Sequence, residues 1–256
     1  MPAESGNRVI ARAAALLRAV AATEAGSATT SDLARAADLA RPTTHRLLSA
    51  LADQGIIDRD RRTGLWSLGP ELYLLGASAA HRYDITSVAG DVIEHLARET
   101  GESVFLSARR GDETVCVLSR EGSFPLRSHV LHEGIRFPLG VASAGLAILG
   151  HLPDRDVDDF FSRNTLEPDW GPDHAEDAIR RRIELTRRDG YATNPALLVE
   201  GSWGLGAAVF DQNGLPAWAV SVTGVQTRFT TDRRRAMGRL LLEGAQDLSV
   251  RLRERR

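Results

Sequence analysis

The run Arg41-Pro42-Thr43-Thr44-His45-Arg46 places guanidinium, hydroxyl and imidazole groups within six consecutive residues. Such groups form hydrogen bonds with phosphate oxygens and with base edges in a major groove. Pro42 fits the first turn of a helix, where a missing N–H has no partner to lose. Leu47, Leu48 and Leu51 supply an apolar stripe behind that turn. The spacing therefore predicts a helix whose exposed N-terminal half carries Arg41, Pro42, Thr43, Thr44, His45 and Arg46, a surface able to enter a groove. Its partially positive end also favours phosphate. Further along, Arg59, Arg61 and Arg62 flank the turn Asp60-Arg61-Arg62-Thr63-Gly64, a basic tip suited to the sugar-phosphate backbone or the minor groove.

These groups need elements to hold them. Leu33, Ala34 and Ala37 share one face of a helix over residues 31–37, with Thr30 or Ser31 as N-cap and Asp32 in the first turn. Asp38-Leu39-Ala40 reads as a turn, Gly55 as a helix stop, and residues 56–57 and 65–68 as strands of a hairpin. Helix, turn, helix and hairpin in that order form a winged helix-turn-helix, with Thr30 and Ser31 joining the DNA-facing set. A preceding helix over residues 9–24, with Ile10, Ala13, Ala14, Leu17 and Ala21 at helical spacing and Leu16 and Val20 widening the stripe, is expected to cover it. The nine Arg and seven acidic residues of positions 1–69 balance to only +2, so a binding surface must be a local concentration of charge.

The whole chain has 256 residues and a formal net charge of -2, which suits one large or two smaller domains. All 32 basic residues are Arg, which excludes Schiff-base, P-loop and Ser-x-x-Lys chemistry. The single cysteine, Cys116, excludes an intrachain disulfide. With no signal-like or membrane-spanning run, a soluble cytoplasmic protein is expected. Residues 71–80 read as a linker helix that could pair with its own copy. The domain boundaries expected are 1–69, 70–82 and 83–256. The last portion reads as α+β: helices over 88–99, 140–150, 173–189 and 230–255, and strands over 103–108, 114–119, 126–130, 203–210 and 216–223. Asp211-Gln212-Asn213-Gly214 is a hairpin turn.

Other reactive groups carry less. Ser143 in Val141-Ala142-Ser143-Ala144-Gly145 resembles a nucleophile elbow but lacks its first glycine. His129 and His132, three apart, diverge on a strand and read as surface or loop residues. Cys116 reads as a buried small hydrophobe. Trp203 and Trp218 read as core, although Trp203 could line a pocket beside Gly204. The residues leave one alternative, a small-molecule hydrolase with an appended interaction module and Ser143 or Cys116 as nucleophile. No base and orienting acid at interpretable spacing supports it, and the reading adopted is not an enzyme.

Taken in order, several stretches resemble the IclR-type transcriptional regulators. They are Leu39 to Leu48, Leu51, Gly55, the Trp66-Ser67-Leu68-Gly69 exit, residues 134–139, residues 144–149, Arg188 to Ala192, Gly204 to Asp211 and Ser221 to Gly224. The set spans about the whole chain. The resemblance implies a winged helix-turn-helix, a linker helix and a C-terminal mixed α+β effector-binding domain with a GAF- or profilin-like antiparallel sheet. It implies homodimers or tetramers on a palindrome-like double-stranded operator, and a small effector such as an organic or aromatic acid. No cofactor, metal or membrane is implied. The implied pocket maps onto Val141, Ala142, Ser143 and Ala144, whose N–H groups open a helix. It also takes Asn194, Gly204, Ser221 and Thr223, with Trp203 beside them. Glycine at position 204 is expected to leave room for a bulkier ligand. The chain departs from the family pattern at Thr193 to Leu198, where acidic residues are common, and at Gly145-Leu146-Ala147, where Gly-Lys-Ala is usual; both make the site less charged.

Overall fold

The computed structural model describes residues 3–23, 25–83, 85–126 and 130–254, with the backbone alone for residues 3–7 and 79–83. Its contacts divide the chain into two compact units, meeting at residues 84 and 85. In the first unit the elements are α1 (Ala3–Ala21), β1 (Ser27–Ala28), α2 (Thr30–Ala36), α3 (Arg41–Ala52), β2 (Ile57–Arg59), β3 (Trp66–Leu68) and α4 (Pro70–Tyr83). The three strands form an antiparallel sheet in the order β1-β3-β2. Its core is Leu16, Val20, Leu33, Leu48, Ile57 and Trp66, each fully buried large side chain contributing about 1.5–3 kcal/mol.

Several expectations are corrected in this unit. Leu16 and Val20, expected at the edge of the α1 stripe, are its buried centre, while Ile10 is 70% exposed; a covering helix of this kind buries only the narrow face that meets its neighbours. The expected helix end at Glu24 lies outside the described residues. The N-cap of α2 is Thr29, whose hydroxyl accepts from the Asp32 N–H, rather than Thr30 or Ser31. The α2–α3 turn is made by Asp38 at φ 49°, a left-handed position that Asp adopts more readily than most residues. Gly69 ends the hairpin against the α3 exit: a Cβ there would collide with the Gly55 carbonyl oxygen.

The second unit begins with α5 (Ile85–Thr100), β4 (Ser103–Arg110), β5 (Glu113–Arg120) and β6 (Arg136–Pro138). Helices α6 (Ser143–Gly150), α7 (Asp154–Arg163) and α8 (Glu167–Trp170) follow, then a 3-10 turn at Pro172–His174 and α9 (Glu176–Asp189). Strands β7 (Ala192–Pro195), β8 (Ser202–Phe210) and β9 (Pro216–Val225) lead through a second 3-10 turn, Gln226–Arg228, to α10 (Thr231–Glu254). The six strands form one antiparallel sheet in the order β6-β5-β4-β9-β8-β7. Period-two alternation sorts its faces: Val104, Leu106, Leu205, Ala207, Val220 and Val222 pack with α5 and α10, and the alternate residues face α6.

Helix α6 is buried on every side because it lies between the sheet and α9. Glycines permit this closeness. A Cβ on Gly206 would lie 2.5 Å from the Ser143 carbonyl oxygen, and one on Gly150 would lie 2.9 Å from Thr186 Cγ2. Of the strand expected over 126–130, residues 127–129 lie outside the described residues, and Leu126 and Val130 form no strand. The helix expected from 173 begins at Glu176 after the 3-10 turn, and Leu185 on it is 47% exposed. Helix α10 ends at Glu254, the final arginines lying outside the described residues. No helix among the described residues is long and apolar enough to cross a membrane.

Candidate nucleic-acid interface and effector cavity

Trp66 organises the first site. Its ring is 1% exposed, and its Nε1–H donates to Thr30 Oγ1 at 2.9 Å. The His45 ring meets it edge-on at 5.9 Å, and the Arg59 guanidinium lies 5.1 Å from its centre. One indole thus ties the start of α2, the outer face of α3 and the wing. Thr30 is therefore a buried acceptor rather than a DNA-facing residue. Thr44 is likewise fully buried, its hydroxyl donating to the Ala40 carbonyl at 3.2 Å; a helical Thr can satisfy its own hydroxyl this way and face the core. Arg41, Pro42, His45 and Arg46 are exposed, and Thr43 is half-buried beside them. Ser31, Arg59, Arg61 and Arg62 are also exposed.

The wing tip is rigidly built. Asp60 accepts from the N–H groups of Thr63 and Arg62, both at 2.7 Å, and these bonds hold its carboxyl below the ordinary range. Gly64 at φ 72° closes the turn. In the second unit, Arg136, Arg163, Arg180, Arg187, Arg228 and Arg251 are all ion-paired. In the first, Arg35 pairs with Asp32; among the described residues no carboxylate lies within ion-pair distance of Arg41, Arg46, Arg61 or Arg62. Unpaired, exposed guanidinium forks are what phosphate and guanine accept in bidentate fashion.

The second site is a small cavity of about 20 Å³ at the start of α6, room for about one water. Ala142 and Ser143 of the α6 start, Asn194 of β7, Gly204 of β8 and Thr223 of β9 meet there, roofed by Val130, Leu131 and Leu198. Ala142 is the N-cap and makes no side-chain capping bond, so the first-turn N–H groups of α6 depend on other acceptors. Asn194 donates from Nδ2 to the Val141 carbonyl at 2.8 Å and accepts at Oδ1 from the Leu197 N–H at 3.1 Å. It joins β7 to the loop before α6 while keeping one hydrogen and one lone pair for other partners. No ionisable side chain is among the described walls.

The expected pocket residues do not all reach this cavity. Val141, Ala144 and Ser221 are buried behind its walls; Ser221 Oγ has no hydrogen-bond partner among the described residues. Trp203 borders the cavity, but its indole packs on the other face of the sheet, 4.8 Å from the Arg234 guanidinium, because odd positions of β8 point towards α10. The room expected at Gly204 is filled: a Cβ there would lie 3.0 Å from Ser143 Oγ. Sequence reasoning missed the roof residues Val130, Leu131 and Leu198, which lie in loops with no periodic signal.

The hydrolase alternative finds no support in this geometry. No His, Asp or Glu lines the cavity with Ser143 among the described residues. Cys116 on β5 is 3% exposed, and burial pushes its thiol up to about 12. His132 is an exposed loop residue, while His129 lies outside the described residues. We expect Cys116 to resist iodoacetamide at pH 8 in the native chain and to react within minutes in denaturant, as mass spectrometry of the alkylated protein would report; rapid native labelling would contradict its burial.

Fold and surface together define a winged helix-turn-helix protein with a separate α+β unit. Residues 9–61 match the IclR helix-turn-helix domain, and residues 77–250 match the C-terminal domain of the bacterial transcriptional regulator IclR. The chain belongs to the IclR family, a family of DNA-binding regulators rather than enzymes. It is 30% identical over 212 residues to the HTH-type transcriptional repressor AllR of Klebsiella pneumoniae, covering 82% of this chain and 77% of that protein. The fold is similar to the crystal structure of the Thermotoga maritima IclR, with TM-score 0.72, 24% identity, and 96% and 99% of the two chains covered. It is also similar to an IclR homologue from Microbacterium hydrocarbonoxydans complexed with 4-hydroxybenzoate, with TM-score 0.76, 22% identity and the same coverage.

Proposed function

We propose that the chain is an effector-responsive repressor that binds a palindrome-like operator as a homodimer. The observation that carries this is a local concentration of charge: the α3 face and the wing bring together exposed guanidinium groups with no carboxylate in ion-pair distance among the described residues, on the two elements a winged helix-turn-helix presents to a duplex. In this reading residues 1–69 bind DNA, residues 70–82 form the linker helix and residues 83–256 bind the effector. Arg41, His45 and Arg46 read base edges with Pro42 and Thr43 against the duplex, and Ser31, Arg59, Arg61 and Arg62 hold phosphates. Exposed Tyr73, Leu74 and Leu75 on α4 supply an apolar surface for pairing with a second copy. The repressor direction rests on the likeness to AllR.

The proposed effector is a small uncharged or monocarboxylate metabolite held at the α6 start with Ser143 and Thr223. A helix start attracts an oxyanion, and the absence of charged walls suits at most one such group. The neighbour holding 4-hydroxybenzoate supports that class. A cavity with room for one water admits such a molecule only when Val130, Leu131 or Leu198 moves. Binding therefore selects one arrangement of the walls over another, which is how a ligand can alter operator affinity.

The test is a thermal-shift screen of small hydroxy and aromatic carboxylic acids, followed by gel-shift titration of the chain's own upstream DNA. We expect a hit to raise the melting temperature and to change operator affinity about tenfold, a typical coupling. The double substitution Ser143→Ala with Thr223→Val should retain operator binding and lose the response. If that variant responds as the parent does, the effector site lies elsewhere.

A further inference from the structure

On the face of the sheet away from α6, a cleft of about 540 Å³ opens at the start of α10. That volume lies within the usual range for small-molecule sites. Trp203 and Phe229, with ring centres 6.4 Å apart, and Val225 provide apolar walls. Gln226, Thr227, Thr230, Thr231 and Arg234 provide the polar ones.

Two features point to an anionic guest. The Arg234 guanidinium lies over the Trp203 ring, and its Nη2 donates to Thr231 Oγ1 at 3.2 Å; no carboxylate among the described residues pairs with it. Helix α10 runs for 24 residues, and its first N–H groups have no acceptor within the helix. The carboxylates nearby do not compete. Asp232 is exposed and outside the walls, and Glu102 is engaged by Arg228 and Arg233.

We propose that this cleft is a second ligand site, distinct from the α6 cavity, for a small carboxylate with a flat or apolar body. The carboxylate sits between Arg234 and the start of α10, and the body lies against Trp203, Phe229 and Val225. Trp203 borders both the cleft and the α6 cavity, with its indole on the cleft side, so β8 runs between the two sites. The proposal stands whether or not the α6 cavity holds the effector.

Equilibrium dialysis of the full-length chain with labelled benzoate tests it, with acetate as competitor. We expect saturable binding with Kd on the order of 1 mM, reasonable for a ligand of so few atoms, and weak competition by acetate. Arg234→Gln should weaken binding at least tenfold, and Arg234→Lys should restore part of it. Thr231→Glu, an exposed change that suits a helix start, should abolish binding in a chain that still folds by circular dichroism. Ser143→Ala with Thr223→Val should leave this binding unchanged. Absence of saturable binding, full binding by Arg234→Gln and Thr231→Glu, or loss confined to the Ser143/Thr223 variant would each overturn the proposal. So would a change in sedimentation with Arg234→Glu at unaltered benzoate affinity, which would give the cleft to a second copy of the chain.

Discussion

Replacing Arg46 by alanine is expected to lower operator affinity about 30-fold or more while leaving the fold intact. Arg46 is exposed on the outer face of α3 and takes no part in the core of Leu16, Leu33, Leu48 and Trp66. Its loss should therefore not move the melting temperature of the first unit by more than about 2–4 °C, since surface changes stay within roughly 0.5 kcal/mol. A base-reading arginine is worth about 1–3 kcal/mol. A dimer uses it twice, so the total is about 2–6 kcal/mol, and even the lower bound gives the stated factor. Thr44→Ala makes the contrast. Its hydroxyl is turned inward to Ala40, so it should change stability by about 1 kcal/mol and direct base contact not at all. Gel-shift titration at fixed salt, alongside calorimetry, separates the two variants. Equal affinity of Arg46→Ala and the parent would remove α3 from the groove.

The second large effect belongs to Gly206. Gly206→Ala should destabilise the second unit by about 3 kcal/mol, the upper end for overpacking. The added Cβ would meet only backbone: the Ser143 carbonyl oxygen at 2.5 Å, its carbon at 2.7 Å and the Ala144 nitrogen at 3.0 Å. Backbone at the start of α6 cannot swing aside as a side chain can. In a unit of this size such a loss lowers the melting temperature by about 6–12 °C. It should also shift the α6 start and weaken effector response, since Ser143 itself lines the cavity. The same substitution at Gly90 should have the opposite sign. Nothing lies within 4 Å of a Cβ there, and within α5 alanine is the better helix former by up to about 1 kcal/mol. A Gly206→Ala protein melting with the parent would show that α6 does not rest on β8 as described.

These residues also show what could be read in the sequence. The core face of α3 was legible because Leu47, Leu48 and Leu51 recur at helical spacing and nothing else competes for them. The wing was legible from Gly64 and the basic run around it. Thr30 and Thr44 were misread because a hydroxyl that finds an indole or a carbonyl inside the fold looks, in sequence, like one offered to solvent. Helix α7 passed unnoticed because its Val157 and Phe160, the buried pair, are separated by charged residues that dominate any local average. Strands β1, β6 and β7 are two to four residues long, too short for alternation to register. Gly204 is the most instructive position. A glycine says that a Cβ is missing; whether the space belongs to a ligand or to Ser143 depends on a helix some sixty residues away.

The unpaired arginines of α3 and the wing are expected to hold DNA phosphates and bases. The most direct measurement is operator affinity of the parent, Arg46→Ala and Arg61→Ala with Arg62→Ala, across a series of salt concentrations. Phosphate neutralisation predicts a straight line of log affinity against log salt, with a slope near -0.9 for each phosphate held. The wing double variant should flatten that slope by about one to two units per protomer, and Arg46→Ala should cost the operator more than it costs unrelated DNA. Parallel lines for all three proteins, with equal affinities, would contradict that expectation.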